Sequence, residues 1–169
     1  MVRIAKEDGV SVSAEVCPHH FAMTEDEIAG DNANYKMNPP LRSAADVEAL
    51  VDGLADGTME AISTDHAPHG EEEKKQSIAK APFGIVGSET AYALSVTHLV
   101  KTGKLTPLQL VEKMSTNPCR ILSVPGGTLS VGAPADITIA DMDSEYVIDK
   151  NTFLSKGKNT PFDGAKVNG

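Results

Sequence analysis

The chain has 169 residues, 40% hydrophobic and 23% charged, with a formal net charge of −9, a composition that suits a globular protein with one sizeable core. The acidic balance leaves no electrostatic footprint for nucleic acid or an anionic membrane. No apolar run nears the roughly 18 residues of a membrane span, and the N-terminus shows no apolar h-region of a secretion signal.

Taken in chain order, Ile4 to Asp8 reads as the end of a helix closed by Gly9. Starting in mid-helix suggests a chain cut from something longer. Val10 to Val16 alternates as a strand does and leads into Cys17-Pro18-His19-His20. Thr24-Glu25-Asp26-Glu27 is a capping-box pattern for a short helix. Asn34 to Asn38 reads as extended. Ser43 caps a helix with Val47, Leu50, Val51 and Leu54 on one face. Met59 to Thr64 is a second strand with Asp65 at its tip. His66 to Gly84 reads as a long loop whose run Glu71-Glu72-Glu73-Lys74-Lys75 is a solvated face. Ser88 to Thr102 predicts a helix closed by Gly103. Thr106-Pro107 opens another, with Leu108, Leu110, Val111 and Met114 as its apolar face, broken by Asn117-Pro118. Beyond Pro125-Gly126-Gly127, Leu129 to Val131 and Asp136 to Asp141 look β-like, and Lys156 to Gly169 is poorly defined. Alternating strand and helix up to Val124 predicts a parallel α/β arrangement, followed by a small all-β element.

Asp65 is the strongest chemical candidate. A carboxylate just past a buried strand can bind a divalent metal through one oxygen and take a proton through the other; a loop-stabilising Asp is the plain alternative. His66 and His69 flank it at a spacing that suits a metal or a substrate carboxylate. His19 and His20 follow the other strand tip and could line the same face, or form a turn with one buried, satisfied ring. His98 reads as structural. Pro39 and Pro40 stiffen the chain beside Asn38, whose amide could donate to one substrate oxygen and accept from a ring N–H. Cys17 and Cys119 form no CxxC pair; they read as buried thiols in a reducing, cytoplasmic setting. No HxH pair, phosphate loop or nucleophile elbow is present.

Tyr35-Lys36-Met37-Asn38-Pro39-Pro40-Leu41-Arg42, Thr64-Asp65-His66-Ala67-Pro68-His69, and Ala81-Pro82-Phe83-Gly84-Ile85-Val86-Gly87-Ser88-Glu89-Thr90-Ala91 resemble the bacterial-type dihydroorotases of the amidohydrolase superfamily. Asn117 to Leu122, Gly132 to Ile137 and Ser155 to Phe162 resemble that family's later segments, so the similarity runs in family order along essentially the whole chain. The resemblance implies the C-terminal part of a (β/α)₈ TIM-type barrel, with residues 1–124 as its last βα units and 125–169 as part of a composite β-sandwich and tail. It implies hydrolysis of dihydroorotate to N-carbamoyl-L-aspartate, in pyrimidine biosynthesis, by a metal-activated hydroxide. Asp65 would be zinc ligand and general base, Asn38 and His69 would hold the ring and its carboxylate, and the Phe83-Gly84 backbone would meet the pyrimidine ring.

The family's HxH pair and remaining ligands have no counterpart here, so the 169 residues alone are expected neither to turn over dihydroorotate nor to hold zinc stoichiometrically. A homodimer, or association with aspartate transcarbamoylase, is the expected assembly. Two readings compete: a dihydropyrimidinase- or allantoinase-like cyclic amidohydrolase, and a non-catalytic dihydroorotase-like assembly subunit. His69 speaks against the first, because an acidic substrate needs a cationic or donor partner. Intact Asp65, Asn38 and His69 speak against the second.

Overall fold

Of the two strands expected before residue 65, only short stretches pair. The computed structural model describes residues 1–169 and joins β1 (Glu15–Val16) to β2 (Ala61–Ile62) in parallel, with Val16 opposite Ile62. The ladder is lengthened by Glu60 N–H to the Ala14 carbonyl at 2.9 Å and Ser63 N–H to the Val16 carbonyl at 3.1 Å. A further parallel bridge joins His66 to Ile85. Three chain segments therefore run side by side in one direction. Val16, Ala61, Ile62 and Ile85 are all buried, as strands covered on both faces require.

The chain opens with α1 (Val2–Glu7), and the β1-to-β2 connection carries α2 (Pro18–Ala22) and α3 (Ala44–Ala55). Ser43 caps α3: its hydroxyl accepts from Asp46 N–H at 3.3 Å and Asp46 accepts in return from Ser43 N–H. Val51 and Leu54 on the inner face of α3 join Val16, Phe21, Ile62, Val96, Leu99, Leu105 and Leu110 in one core cluster. Each such side chain is worth ~1.5–3 kcal/mol when fully buried, so this stripe fixes α3 against the parallel segments. A second cluster draws on both ends of the sequence: Met23, Met37, Leu41, Ile85, Ala93 and Leu94 pack with Ile148, Phe162 and Val167.

Several local expectations give way to tertiary context. The loop from His66 to Gly84 contains α4 (Glu71–Lys74), and Lys74, in the run expected to be solvated, is buried. The helix expected from Ser88 starts later, as α5 (Ala91–Ser95), and continues as a π-helical stretch over Val96–Val100. Pro118 does not break the next helix. α6 (Pro107–Val111) passes through a π-helical stretch, Glu112–Thr116, into α7 (Asn117–Leu122). A change of register just before Pro118 removes the demand for its missing N–H. On α6 only Leu110 is buried, while Leu108 and Val111 face solvent.

The last 45 residues depart most. Leu129 to Val131 and Asp136 to Asp141 pair with nothing. The strands are instead β3 (Glu145–Val147) and β4 (Lys166–Asn168), antiparallel, with Tyr146 opposite Val167. The tail that looked poorly defined is built in: Asn159, Thr160, Phe162 and Val167 are buried. Its Gly, Asn and Lys content obscured a segment whose polar groups are satisfied by other loops rather than by solvent.

Candidate functional site

The chemistry-bearing side chains follow the C-terminal ends of the parallel strands, where such sheets and barrels gather their active sites. Cys17 to His20 follow β1 and Ser63 to Asp65 follow β2. Asp65 stands in the left-handed backbone region at φ 47°. Asp and Asn tolerate that region better than other side chains, and an enforced turn there aims the carboxylate off the strand end.

His19 faces Asp65. Its Nε2 lies 3.9 Å from Asp65 Oδ2, with the His19 ring 2% exposed and the Asp65 side chain 42% exposed. That nitrogen is buried and accepts or donates no hydrogen bond. Burial, then the neighbouring His20, pushes the His19 pKa down to about 3, so the ring is neutral and cannot form an ion pair. A neutral imidazole with an unpartnered buried nitrogen beside a half-exposed carboxylate is a donor set suited to a divalent metal.

His19 also forms a group with Cys17 and His20, whose ligand atoms lie within 4.8 Å of one another. Two of these three are engaged elsewhere. Cys17 Sγ is bonded to Ser63 Oγ at 3.5 Å, and burial pushes its thiol pKa up. His20 Nε2 donates to the Pro39 carbonyl at 2.8 Å. The orphaned His19 nitrogen therefore makes the His19–Asp65 pair the better metal-binding start. A sequence signal for His19 existed: it follows a strand tip as Asp65 does. Sequence alone could not choose between a satisfied core histidine and an unsatisfied one.

The remaining expected site residues form a connected rim. His69 Nε2 donates to the Phe83 carbonyl at 2.8 Å, and its Nδ1 lies 3.8 Å from Glu73 Oε2. Gly84 N–H donates to the Lys36 carbonyl at 2.9 Å, which ties the Phe83-Gly84 backbone to the segment entering Asn38. Lys36 Nζ sits 4.5 Å above the Phe83 ring. Asn38 is exposed, its bond to Pro39 is cis, and the Pro39 carbonyl is the one held by His20. Asp65 thus faces His19 at 3.9 Å, Asn38 adjoins the proline held by His20, and His69 is hydrogen-bonded to Phe83 directly. His66 serves the backbone instead: its Nδ1 accepts from Gly87 and Ser88 N–H, each at 3.2 Å.

Gly84 adopts φ 110°, and a Cβ there would fall 2.4 Å from Ala67 Cβ. The rim closes this tightly only because that position has no side chain. Lys74 Nζ donates to the Pro82 and Gly84 carbonyls at 3.1 and 2.9 Å, which explains its burial within a charge run.

The sequence pattern described as "Amidohydrolase family" matches residues 1–169, the whole chain. The chain belongs to the amidohydrolase family. Among curated relatives, a dihydroorotase from Bacillus licheniformis is 58% identical over 97% of this chain and 38% of its own length. One from Bacillus subtilis is 54% identical over 100% of this chain and 40% of its own. The amidohydrolase chain described here therefore spans about two-fifths of the length of these relatives. Among solved structures, an L-hydantoinase (dihydropyrimidinase) from Arthrobacter aurescens matches with a TM-score of 0.90 at 32% identity, over 99% of this chain and 38% of its own. A dihydropyrimidinase from Brevibacillus agri matches with the same TM-score, 0.90, at 26% identity, again over 99% and 38%. As an amidohydrolase, the chain has a mixed helix and strand fold shared with hydantoin- and pyrimidine-named enzymes and a sequence nearer to dihydroorotases. No helix is long and apolar enough to cross a membrane.

Proposed function

We propose that these residues are the C-terminal part of a dihydroorotase, which opens dihydroorotate to N-carbamoyl-L-aspartate and closes it again in the cytoplasm. The single observation that carries the chemistry is the orphaned His19 Nε2 beside Asp65. The choice of substrate among cyclic amides is supported by the 54–58% identity to dihydroorotases, against 26–32% to the hydantoin- and pyrimidine-named structures.

In this reading Asp65 and His19 hold a zinc ion together with ligands from outside these 169 residues. Such an ion supplies Lewis acidity toward the ring carbonyl and lowers the pKa of a water. Asp65, with one oxygen turned to His19 and its side chain partly open, takes the proton of the attacking water and passes it to the departing ring nitrogen. His69 recognises the substrate acid through Nε2–H, in competition with the Phe83 carbonyl, or through a proton at Nδ1. The Asn38 amide and the Phe83-Gly84 backbone complete the ring contacts.

The parallel segments are read as the last units of a (β/α)₈ barrel. Residues 125–169 are read as part of a β-sandwich, a proposal supported by the exposed apolar Leu129, Val131, Ile137 and Ile139, which need a covering surface. A homodimer, or assembly with aspartate transcarbamoylase, belongs to the same proposal and is tested by sedimentation with and without that enzyme.

The test of function is a substrate panel on the metal-loaded full-length protein that contains these residues: dihydroorotate, dihydrouracil, a 5-substituted hydantoin and allantoin. Dihydroorotate is expected to show the highest kcat/KM. Turnover of a hydantoin or dihydrouracil without turnover of dihydroorotate would overturn the substrate; no turnover of any, with full metal loading, would favour an assembly subunit.

A further inference from the structure

We infer that Asn159 is a positioning residue of this site: from the end of the chain, its buried amide locks the His69 loop to the Phe83-Gly84 backbone so that the two hold one geometry. The inference rests on the reading above that these two elements contact the substrate.

Asn159 is 5% exposed. Its Oδ1 accepts from His69 N–H at 2.9 Å. Its Nδ2 donates to the Ala67 carbonyl at 3.0 Å and to the Gly84 carbonyl at 3.1 Å. Its own backbone carbonyl accepts from Val86 N–H at 2.9 Å. Both amide protons and one oxygen lone pair are used, on three different backbone groups. No other side chain of that size repeats the pattern: Asp lacks both donors and Leu lacks every polar group.

Apart from Asn159, the two elements are joined by Ala67 N–H to the Ile85 carbonyl at 2.8 Å, by His69 to the Phe83 carbonyl, and farther along the loop by Lys74 Nζ to the Pro82 and Gly84 carbonyls. The second of these is a bond that a substrate acid would compete for. When His69 turns to substrate, Asn159 is what keeps its backbone in place. The tail is held firmly enough to do this, because Thr160 and Phe162, just beyond Asn159, are buried. It also runs in close contact with the loop: a Cβ on Gly157 would lie 2.8 Å from His69 N and 2.8 Å from Pro68 Cβ. An anchor serving stability alone would bond to core backbone; this one bonds to the backbone at the expected substrate contacts.

The test compares Asn159→Ala and Asn159→Asp with Val167→Ala, a tail variant that opens the second core cluster and removes no side-chain hydrogen bond, in the metal-loaded full-length protein. Both Asn159 variants are expected to raise KM for dihydroorotate about tenfold or more, with kcat changed less than about threefold and metal content per chain unchanged, because Asn159→Ala removes all three side-chain hydrogen bonds and Asn159→Asp both donated ones, and about 1.4 kcal/mol is already a tenfold effect. Val167→Ala is expected to lower stability in urea and leave KM within about twofold. Amide exchange at His69 is read in parallel and should quicken about tenfold in Asn159→Ala, which removes its acceptor, and not in Val167→Ala. Asn159→Asp is nearly isosteric and keeps the acceptor for His69 N–H, so it decides the case if Asn159→Ala fails to fold. KM shifts equal to those of Val167→Ala, unchanged exchange at His69 in a folded Asn159→Ala, or a fall in metal content would each overturn the inference. If the wild type prefers another cyclic amide, the substrate reading fails, while the same comparison run on that substrate and the exchange measurement still judge Asn159.

Discussion

Adding one methyl group at Gly84 should cost about as much stability as truncating a large buried side chain. At φ 110° an L side chain is strained, a penalty of about 1–3 kcal/mol. The new Cβ would also stand 2.4 Å from Ala67 Cβ, with the Ala67 α-carbon and carbonyl oxygen each 3.7 Å away. The facing atom is a rigid methyl on a strand-like segment and cannot swing aside, so overpacking adds about 1–3 kcal/mol. The lower entropy of Ala in the unfolded chain returns about 0.4–1 kcal/mol. The net loss for Gly84→Ala is about 3 kcal/mol, or roughly a hundredfold in the folding equilibrium. In urea, with m of about 1–3 kcal/mol/M, the midpoint should fall by roughly 1–3 M at unchanged slope. Replacing Ala67 by Gly in the same chain removes the clash and leaves the backbone strain, so a double-mutant cycle should show coupling of about 1–3 kcal/mol. A loss below about 1 kcal/mol for Gly84→Ala, or additive behaviour with Ala67→Gly, would refute the claim that this backbone closes only around an absent side chain.

Asp65→Asn should keep the fold, since Asn also accepts the left-handed region, and should lower kcat by about 10²–10⁴ through loss of proton transfer; equal activity in the two proteins would remove Asp65 from its role. His19→Ala should weaken metal binding by more than the roughly 10–100-fold that losing an outer partner costs, whereas Cys17→Ser should change it little; an equally large effect of Cys17→Ser in a metal titration would assign the ion to Cys17, His19 and His20. Burial pushes the Lys74 pKa from 10.5 down to about 8. Between those values the unfolded chain holds a proton that the folded chain has released, so stability should rise with pH from about 8 to 10.5. Urea unfolding at the two ends of that window checks this, and Lys74→Met should flatten the rise; a fall in wild-type stability across the window would contradict the buried ammonium.

The candidate site was legible in sequence wherever a residue type and a strand end coincide. Asp65 could be picked out because a carboxylate following a short apolar strand is poised at the end where parallel sheets place their reactive groups. Asn38, His69, Phe83 and Gly84 came from the resemblance, and the structure joins the last three through the His69 side chain on the Phe83 carbonyl and through the Asn159 amide. The Ser43 cap, the inward Val51 and Leu54, and the Gly103 stop are local matters of periodicity and capping, which is why they were readable.

What the sequence by itself determined is the family and the strand-and-helix alternation, and it singled out Asp65 as the candidate carboxylate. Only tertiary structure decided which polar groups are left without partners. His19 and His20 are adjacent and chemically alike, yet one finds the Pro39 carbonyl and the other is left bare beside Asp65. Lys74 sits in a charge run that looks solvated, yet three-dimensional folding brings two carbonyls to it. Asn159 lies in a tail with no periodicity, and its partners are 75 to 92 residues away. Hydrogen-bond satisfaction depends on which distant backbone groups meet a side chain, and no local pattern encodes that.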